Sequence, residues 1–269
     1  MWHLNKIPKI LHAYWGGGKL AYLRYLTLVT FKKHNPDWDI VLYIPRVYTP
    51  GISWATSEHK YGQDFPNYSG MFKKLNISII EIDLSDILVG ASEIHRADYL
   101  RWILLHDNGG LWSDLDILYI KPMDSLYFNI LQNKNVGTII CDRVYGHSIG
   151  FLMSSQNNPY FETLRQSSLL AYRYLEYQCM GSTLFNRVYP DIKNYNNVVN
   201  MTMEVVYPYD ANHVNELFKP RDTYVLPPNT IGVHWYAGNH IAGTYLNNTD
   251  GGLNSTGDSI IDKLVRNEN

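Results

Sequence analysis

Residues 92–120 read SEIHRADYLRWILLHDNGGLWSDLDILYI, and this stretch decides the fold. Ser92 is a good helix N-cap, and Glu93 suits the first turn, where backbone N–H groups favour negative charge. Apolar residues follow at helical spacing through Leu105. Asn108, Gly109 and Gly110 form a stop signal, with a glycine suited to the left-handed position just beyond a helix. Leu111 to Ile120 then reads as a strand, closed by Lys121 and Pro122.

The same alternation extends toward the N-terminus. Residues 7–15 (IPKILHAYW) read as a buried first strand. Gly16, Gly17 and Gly18 end it and open a helix over about residues 19–34. These glycines suit a tight turn, and they also let backbone N–H groups approach a ligand closely. Residues 39–44 form a second apolar strand stopped by Pro45, and residues 77–84 a third. Between them, residues 46–76 carry Pro, Gly, Ser and Tyr without clear periodicity and read as an insertion or mobile loop. Strand–helix–strand alternation from residue 7 to residue 120 predicts an α/β fold, a mostly parallel sheet with helices on its faces.

Downstream, residues 136–141 and 148–154 read as strands, and Asn158-Pro159 starts a helix reaching about Tyr177. A short helix follows Gly181, residues 198–206 and 224–226 are candidate strands, and residues 231–235 form the last. Residues 247–258 are polar and glycine-rich, which predicts a mobile loop. With no linker and no internal repeat, residues 1–246 read as one domain and 247–269 as a flexible C-terminal segment.

Composition bounds the function classes. The 269 residues (31.1 kDa) are 45% hydrophobic and 18% charged, which excludes a disordered or fibrous chain. A net charge of −2 gives no general electrostatic reason to bind nucleic acid. Cys141 and Cys179 alone cannot make a disulfide framework or a zinc ribbon. No apolar leader follows Met1, and no apolar run reaches the roughly 20 residues of a spanning helix. The expectation is a soluble, cytoplasmic protein without a transmembrane segment, in which the sequons at Asn67, Asn76, Asn200 and Asn247 are incidental. Aromatic content is high, with 22 Tyr and 7 Trp, which fits core filling or a stacking surface for sugars or bases.

The chemistry concentrates at Asp114 and Asp116. One residue between them places both side chains on the same side of an extended chain. Carboxylates that close repel unless a cation lies beside them, and hard oxygen ligands suit Mg²⁺ or Mn²⁺. The spacing alone is weak, since Asp37 and Asp39 share it and read as a turn before a strand. Asp98 and Arg101, three apart, share a face of the preceding helix. They read either as a surface ion pair or as part of a crevice at the carboxyl ends of the strands.

The run from Arg96 through Asp98, Arg101, Gly109-Gly110, Asp114 and Asp116 to Lys121-Pro122 and Asp124 resembles the sugar-binding, DXD-containing region of family 32 glycosyltransferases. The catalytic domains of the large clostridial toxins share a similar block. The opening residues 7–17 also look like that family's first strand and nucleotide-binding turn. The resemblance covers residues 7–18 and 91–124. It implies a GT-A fold, a Rossmann-like mixed, mostly parallel sheet with helices on both faces, and transfer of sugar from a UDP- or GDP-sugar with retention of anomeric configuration. It implies that Trp15 stacks on the nucleotide base while the backbone of Ala13, Tyr14, Trp15, Gly16 and Gly17 grips its edge. Asp98 and Arg101 would bind donor sugar hydroxyls, Asp114 would contact ribose, sugar or metal, and Asp116 would be the principal carboxylate on Mn²⁺ or Mg²⁺. The implied acceptor is a saccharide of a surface polysaccharide or glycan.

The family often closes its site with a His, four residues, then Ser-Trp. This chain has His234, with Asn239 and His240 in place of Ser and Trp. His234 then fits a third metal ligand, with Asn239 beside it, or else a hydrogen-bonded core histidine. A Gly-Pro that often follows the family's mid-domain helix is Gly181-Ser182 here. Other readings are a metal-dependent hydrolase using Asp98, Asp114 and Asp116, a sugar-binding module without activity, and a phage or viral glycosyltransferase acting on modified DNA bases, with nucleic acid as acceptor.

Overall fold

A computed structural model of the chain describes residues 6–48, 64–124, 130, 133, 135–144 and 146–267. Of the expected 46–76 insertion, residues 49–63 lie outside the described residues. The chain begins β1 (Ile10–Tyr14), α1 (Tyr22–His34), β2 (Asp39–Pro45), β3 (Ser78–Ile82), α2 (Glu93–Asp107), β4 (Gly110–Ser113). It continues β5 (Ile117–Tyr119), β6 (Thr138–Arg143), β7 (Gly146–His147), β8 (Phe151–Ser154), α3 (Pro159–Ala171), α4 (Ser182–Val188) and β9 (Val198–Met201). It closes with α5 (Asn215–Phe218), β10 (Gly232–His234), α6 (His240–Asn248) and α7 (Ile260–Arg266).

The main sheet runs β3-β2-β1-β4-β8-β6-β7, with β9 beside β6. β1 pairs parallel with both β2 and β4, and β2 parallel with β3. β8 runs against its neighbours β4 and β6, so β6 and its parallel partner β9 point the same way as β1 to β4. The result is a mixed, mostly parallel sheet, as the sequence pattern predicts. Strand order turns at β1: the chain winds outward through β2 and β3, then crosses back along α2 to β4 on the other flank. Ligands of open α/β sheets bind at such a point, outside the carboxyl ends of the strands.

Both faces of the sheet are covered except at the exposed edge strand β3, which explains why its central strands are apolar at nearly every position. Leu11, Ala13, Ile40, Leu42, Leu111, Phe151 and Met153 join one core cluster, beneath α1, α6 and α7. Tyr14, Tyr43, Trp112, Ile140 and Leu152 alternate with them and join the other, beneath α2, α3 and α4.

Helix ends follow local chemistry. The Ser92 hydroxyl accepts from the His95 N–H at 3.3 Å to start α2, and the Asn158 side chain accepts from Tyr160 N–H to start α3. Gly109 ends α2 with φ +68°, and a Cβ there would meet the backbone of Ser154 and Gln156.

Several expectations need correcting. The single strand expected over 111–120 is two: β4 lies in the main sheet, whereas β5 leaves it to pair antiparallel with β10. The chain changes partner at residues 114–116, where Asp114 N–H bonds Gly150 and Asp116 C=O accepts from Trp235. Asp114 and Asp116 therefore flank a turn, not an extended strand. α3 stops at Ala171 because Tyr172 is extended and the Arg173 N–H turns onto the Cys179 sulfur. Residues 224–226 form no strand; Pro227 and Pro228 follow and offer no ladder N–H. The terminal segment expected to be flexible is packed. Ile260, Ile261, Leu264 and Val265 are buried, Ser259 and Asp262 cap α7 reciprocally, and Gly251 and Gly252 lie against residues 21–23. Its glycines serve close approach rather than freedom. Among the described residues, no helix is long and apolar enough to cross a membrane.

One buried histidine ties the central strands to the α2–β4 turn. His12 Nε2 lies 2.9 Å from the Gly109 carbonyl, which can only accept, so this nitrogen carries the proton. Nδ1 then accepts from the Tyr43 hydroxyl at 3.2 Å. Burial lowers the His12 pKa from 6.5 to about 4, against the Gly109 hydrogen bond. Between those values the unfolded chain takes up a proton that the folded chain refuses. Stability is therefore expected to fall as pH drops from 6.5 to about 4, by at most roughly 1.4 kcal/mol per pH unit. Urea titrations across this range check it: a His12→Gln variant is expected to show a flatter dependence.

Candidate active site

A cleft of about 1150 Å³ opens at the carboxyl ends of β1 and β4. β1 delivers Trp15, whose N–H bonds the Tyr43 carbonyl at 3.0 Å. The turn that follows needs its glycines for packing. Gly17 has φ +101°, and a Cβ at Gly16 would run into the Glu93 side chain. Glu93 in turn accepts from the Tyr14 hydroxyl and pairs with Arg96 at 3.0 Å. The nucleotide-turn candidates Tyr14, Trp15, Gly16 and Gly17 all line the cleft; Ala13 is buried in the sheet core.

α2 presents Glu93, Ile94, Ala97, Asp98 and Arg101 to the cleft, one face at helical spacing. Asp98 and Arg101 are no surface pair. Their side chains are 5% and 4% exposed, with Arg101 Nη1 2.9 Å from Asp98 Oδ1. Arg101 Nη2 reaches on to Asp114 Oδ1 at 3.1 Å, and the Trp112 indole N–H donates to the same oxygen at 2.8 Å. The guanidinium also lies over the Trp112 ring, 4.8 Å from its centroid. Asp98, Arg101 and Asp114 thus form one fixed chain. Gly181, where the family resemblance departs, lies on Asp98: a Cβ would collide with that carboxylate.

The turn at 114–116 and the exit of β10 build the second half. Asp116 Oδ1 and His234 Nε2 lie 3.0 Å apart, and Asp116 Oδ2 accepts from the Ala237 N–H at 3.0 Å. Burial opposes the Asp116 charge, but His234, Arg24 and the Ala237 N–H outweigh it and hold the carboxyl below the usual range. The His234 ring packs between Tyr207 and Tyr236, 4.9 and 4.3 Å between centroids.

One ligand atom each from Asp114, Asp116 and His234 lie within 4.8 Å of one another. His234 Nδ1 is buried without a hydrogen-bond partner among the described residues, and Asp116 Oδ1 faces only His234 Nε2. Two carboxylates and an imidazole with an unpartnered buried ring nitrogen are a donor set that fits a divalent cation such as Mn²⁺ or Mg²⁺. Asn239 also lines the cleft, but its Oδ1 caps α6 through the Ile241 N–H at 2.9 Å.

No protein-family profile matches the chain, and no curated protein does. Solved structures with a similar chain path include glycosyltransferases. The PaToxG glycosyltransferase is 17% identical, with 71% of this chain and 72% of that one covered and a TM-score of 0.49. The apo form of GlyE from Streptococcus pneumoniae TIGR4 is 14% identical, with 85% and 54% covered and a TM-score of 0.48. A glycosyltransferase involved in glycosylation of the major capsid of PBCV-1 is 12% identical, with 87% and 98% covered and a TM-score of 0.44. The chain thus spans about half the length of GlyE. At these scores the likeness carries no argument, and the functional reading rests on the cleft's own residues.

The cleft residues that sequence reasoning missed include Arg24, Arg143, Gly150 and Tyr207. Gly150 leaves room for Asp114, whose Oδ2 would lie 2.7 Å from a Cβ there. Tyr207 hydrogen-bonds Ser148 and backs His234. None sits in a motif; each is brought in by topology.

Proposed function

We propose that the protein is a metal-dependent GT-A glycosyltransferase that moves a sugar from a UDP- or GDP-sugar to an acceptor hydroxyl with retention of configuration. The observation that carries this reading is the meeting of Asp114, Asp116 and His234 in one cleft with Trp15 and the Asp98–Arg101 pair. Asp114, Asp116 and His234, with Asn239 at the rim, would hold Mn²⁺ or Mg²⁺, which would supply Lewis-acid stabilisation of a departing diphosphate. Trp15 gives the base an aromatic face. Asp98 and Arg101, each fixed by the other, orient the donor sugar, and such fixed geometry contributes several kcal/mol to a two-substrate reaction. The acceptor oxygen bonds the anomeric carbon from the face the diphosphate leaves. The carbon–oxygen bond to phosphate breaks with its electron pair going to the phosphate oxygen, which takes the acceptor's proton.

The cleft volume supports transfer over simple hydrolysis. It exceeds the roughly 300–1,000 Å³ typical of small-molecule sites, leaving room for a saccharide acceptor beside the donor. Among the described residues, Asp114, Asp116 and His234 form the one group of three suited to a metal, fewer than a two-metal hydrolase needs. The test is a screen of UDP- and GDP-sugars with Mn²⁺, reading hydrolysis and transfer to simple saccharides. Absence of binding and cleavage across the panel would sink the reading. Transfer to duplex DNA instead would move the acceptor to nucleic acid.

Base stacking on an aromatic ring is worth roughly 1–3 kcal/mol. Trp15→Ala is therefore expected to weaken nucleotide binding about 5- to 150-fold. Calorimetry on a folded variant checks this, and unchanged affinity would remove Trp15 from the base site.

A further inference from the structure

Arg24 projects from the first turn of α1 into the cleft and is half-buried there. A guanidinium carries five N–H donors. Among the described residues, Arg24 makes no hydrogen bond and no ion pair through them. It is held instead by two indoles: its central carbon lies 5.3 Å from the Trp15 ring centroid and 5.7 Å from that of Trp235. Trp235 is fully buried, and the indole N–H groups of both rings lack partners. Asp116, which lines the same cleft, does not answer this cation. Its oxygens face His234 and the Ala237 N–H instead.

Partial burial of an arginine without an anion is costly, and such cations are ordinarily paired. Contact with two aromatic rings restrains the guanidinium while leaving its N–H edges uncommitted. Its forked donors match the oxygens of a phosphate group. The Trp15 ring places it beside the proposed base site, and it lines the same cleft as Asp114, Asp116 and His234.

We propose that Arg24 binds the diphosphate of the donor nucleotide and supplies the chain's own positive charge to that group. This deepens the glycosyltransferase reading and rests on it. Arg24 then joins the base site to the carboxylate–imidazole cluster, and its role is distinct from that of Arg101, whose two terminal nitrogens pair with Asp98 and Asp114.

The test is calorimetric binding to the full chain in EDTA, so that no cation other than Arg24 is altered. The probes are UDP and GDP, their nucleosides uridine and guanosine, and inorganic pyrophosphate. Arg24→Met is expected to weaken the nucleoside diphosphate that wild type prefers, and pyrophosphate, by roughly 10- to 100-fold, the scale of a charge-assisted hydrogen bond. Nucleoside affinity is expected to stay within about twofold. Arg24→Gln keeps a planar group between the indoles and is expected to show the same split, which serves if the Met variant does not fold. Equal losses for nucleoside and diphosphate would mean that Arg24 only packs the two rings, and would overturn the proposal. Unchanged diphosphate affinity in either folded variant would overturn it as well. If wild type binds no nucleotide with Mn²⁺ present, the glycosyltransferase reading itself falls and takes this proposal with it.

Discussion

Asp116→Asn is expected to lower sugar transfer by roughly 10²- to 10³-fold, the scale of losing one preorganised electrostatic contact in an active site. The amide keeps the shape of the carboxylate and can still accept the Ala237 N–H, so the turn at 114–116 keeps its anchor. What disappears is the charge. The wild-type carboxyl stays ionised because His234, Arg24 and the Ala237 N–H overcome the penalty of burial. The measurements are turnover as a function of Mn²⁺ concentration, and thermal unfolding of both proteins without metal. Lost turnover with a near-native unfolding midpoint is the expected pair of results. Full activity in both Asp116→Asn and EDTA-treated wild type would remove the metal from the mechanism.

Arg101→Met is expected to destabilise the fold by about 3–5 kcal/mol, the cost of breaking a buried ion pair by removing one partner. Arg101 and Asp98 are nearly inaccessible, so the Asp98 carboxylate would lose its cation without gaining water. Asp114, about one-third exposed, recovers solvent more easily and adds less. Urea unfolding gives the number. The double variant Arg101→Met, Asp98→Leu is expected to recover part of the loss, because no uncompensated charge then remains. A single variant within 1 kcal/mol of wild type would mean that the chain of Asp98, Arg101 and Asp114 adds little to stability.

The sequence makes the first half of the fold readable because its signals are local. Ser92 caps α2 and Gly109 ends it where expected, and the apolar runs at 7–15, 39–44 and 77–84 hold β1, β2 and β3. Asp98 and Arg101 fall together because helical spacing fixes their common face. The residues that failed depend on distant partners. Nothing local says that residues 111–120 change partner at Asp114, since that requires Gly150 and Trp235 to arrive from elsewhere. The glycines at 251 and 252 resemble those of a loose loop; only the approach of residues 21–23 shows their purpose. Arg24 is invisible for the same reason, because the indole of Trp235 that flanks it lies more than two hundred residues away.

The small ribbon of β5 and β10 has a thermodynamic consequence. Three residue pairs join Ile117–Tyr119 to Gly232–His234 outside the main sheet. Asp116 precedes one strand, and His234 ends the other. Opening of this ribbon would separate two of the three cluster residues, but Ile117, Leu118, Tyr119 and Val233 are fully buried in the core they share with α1. The cluster is therefore expected to come apart together with the core rather than in a separate low-energy opening. Any ligand that bridges Asp116 and His234 must also hold the ribbon closed, so occupancy and amide-exchange protection at residues 117–119 and 232–234 are two readings of one equilibrium.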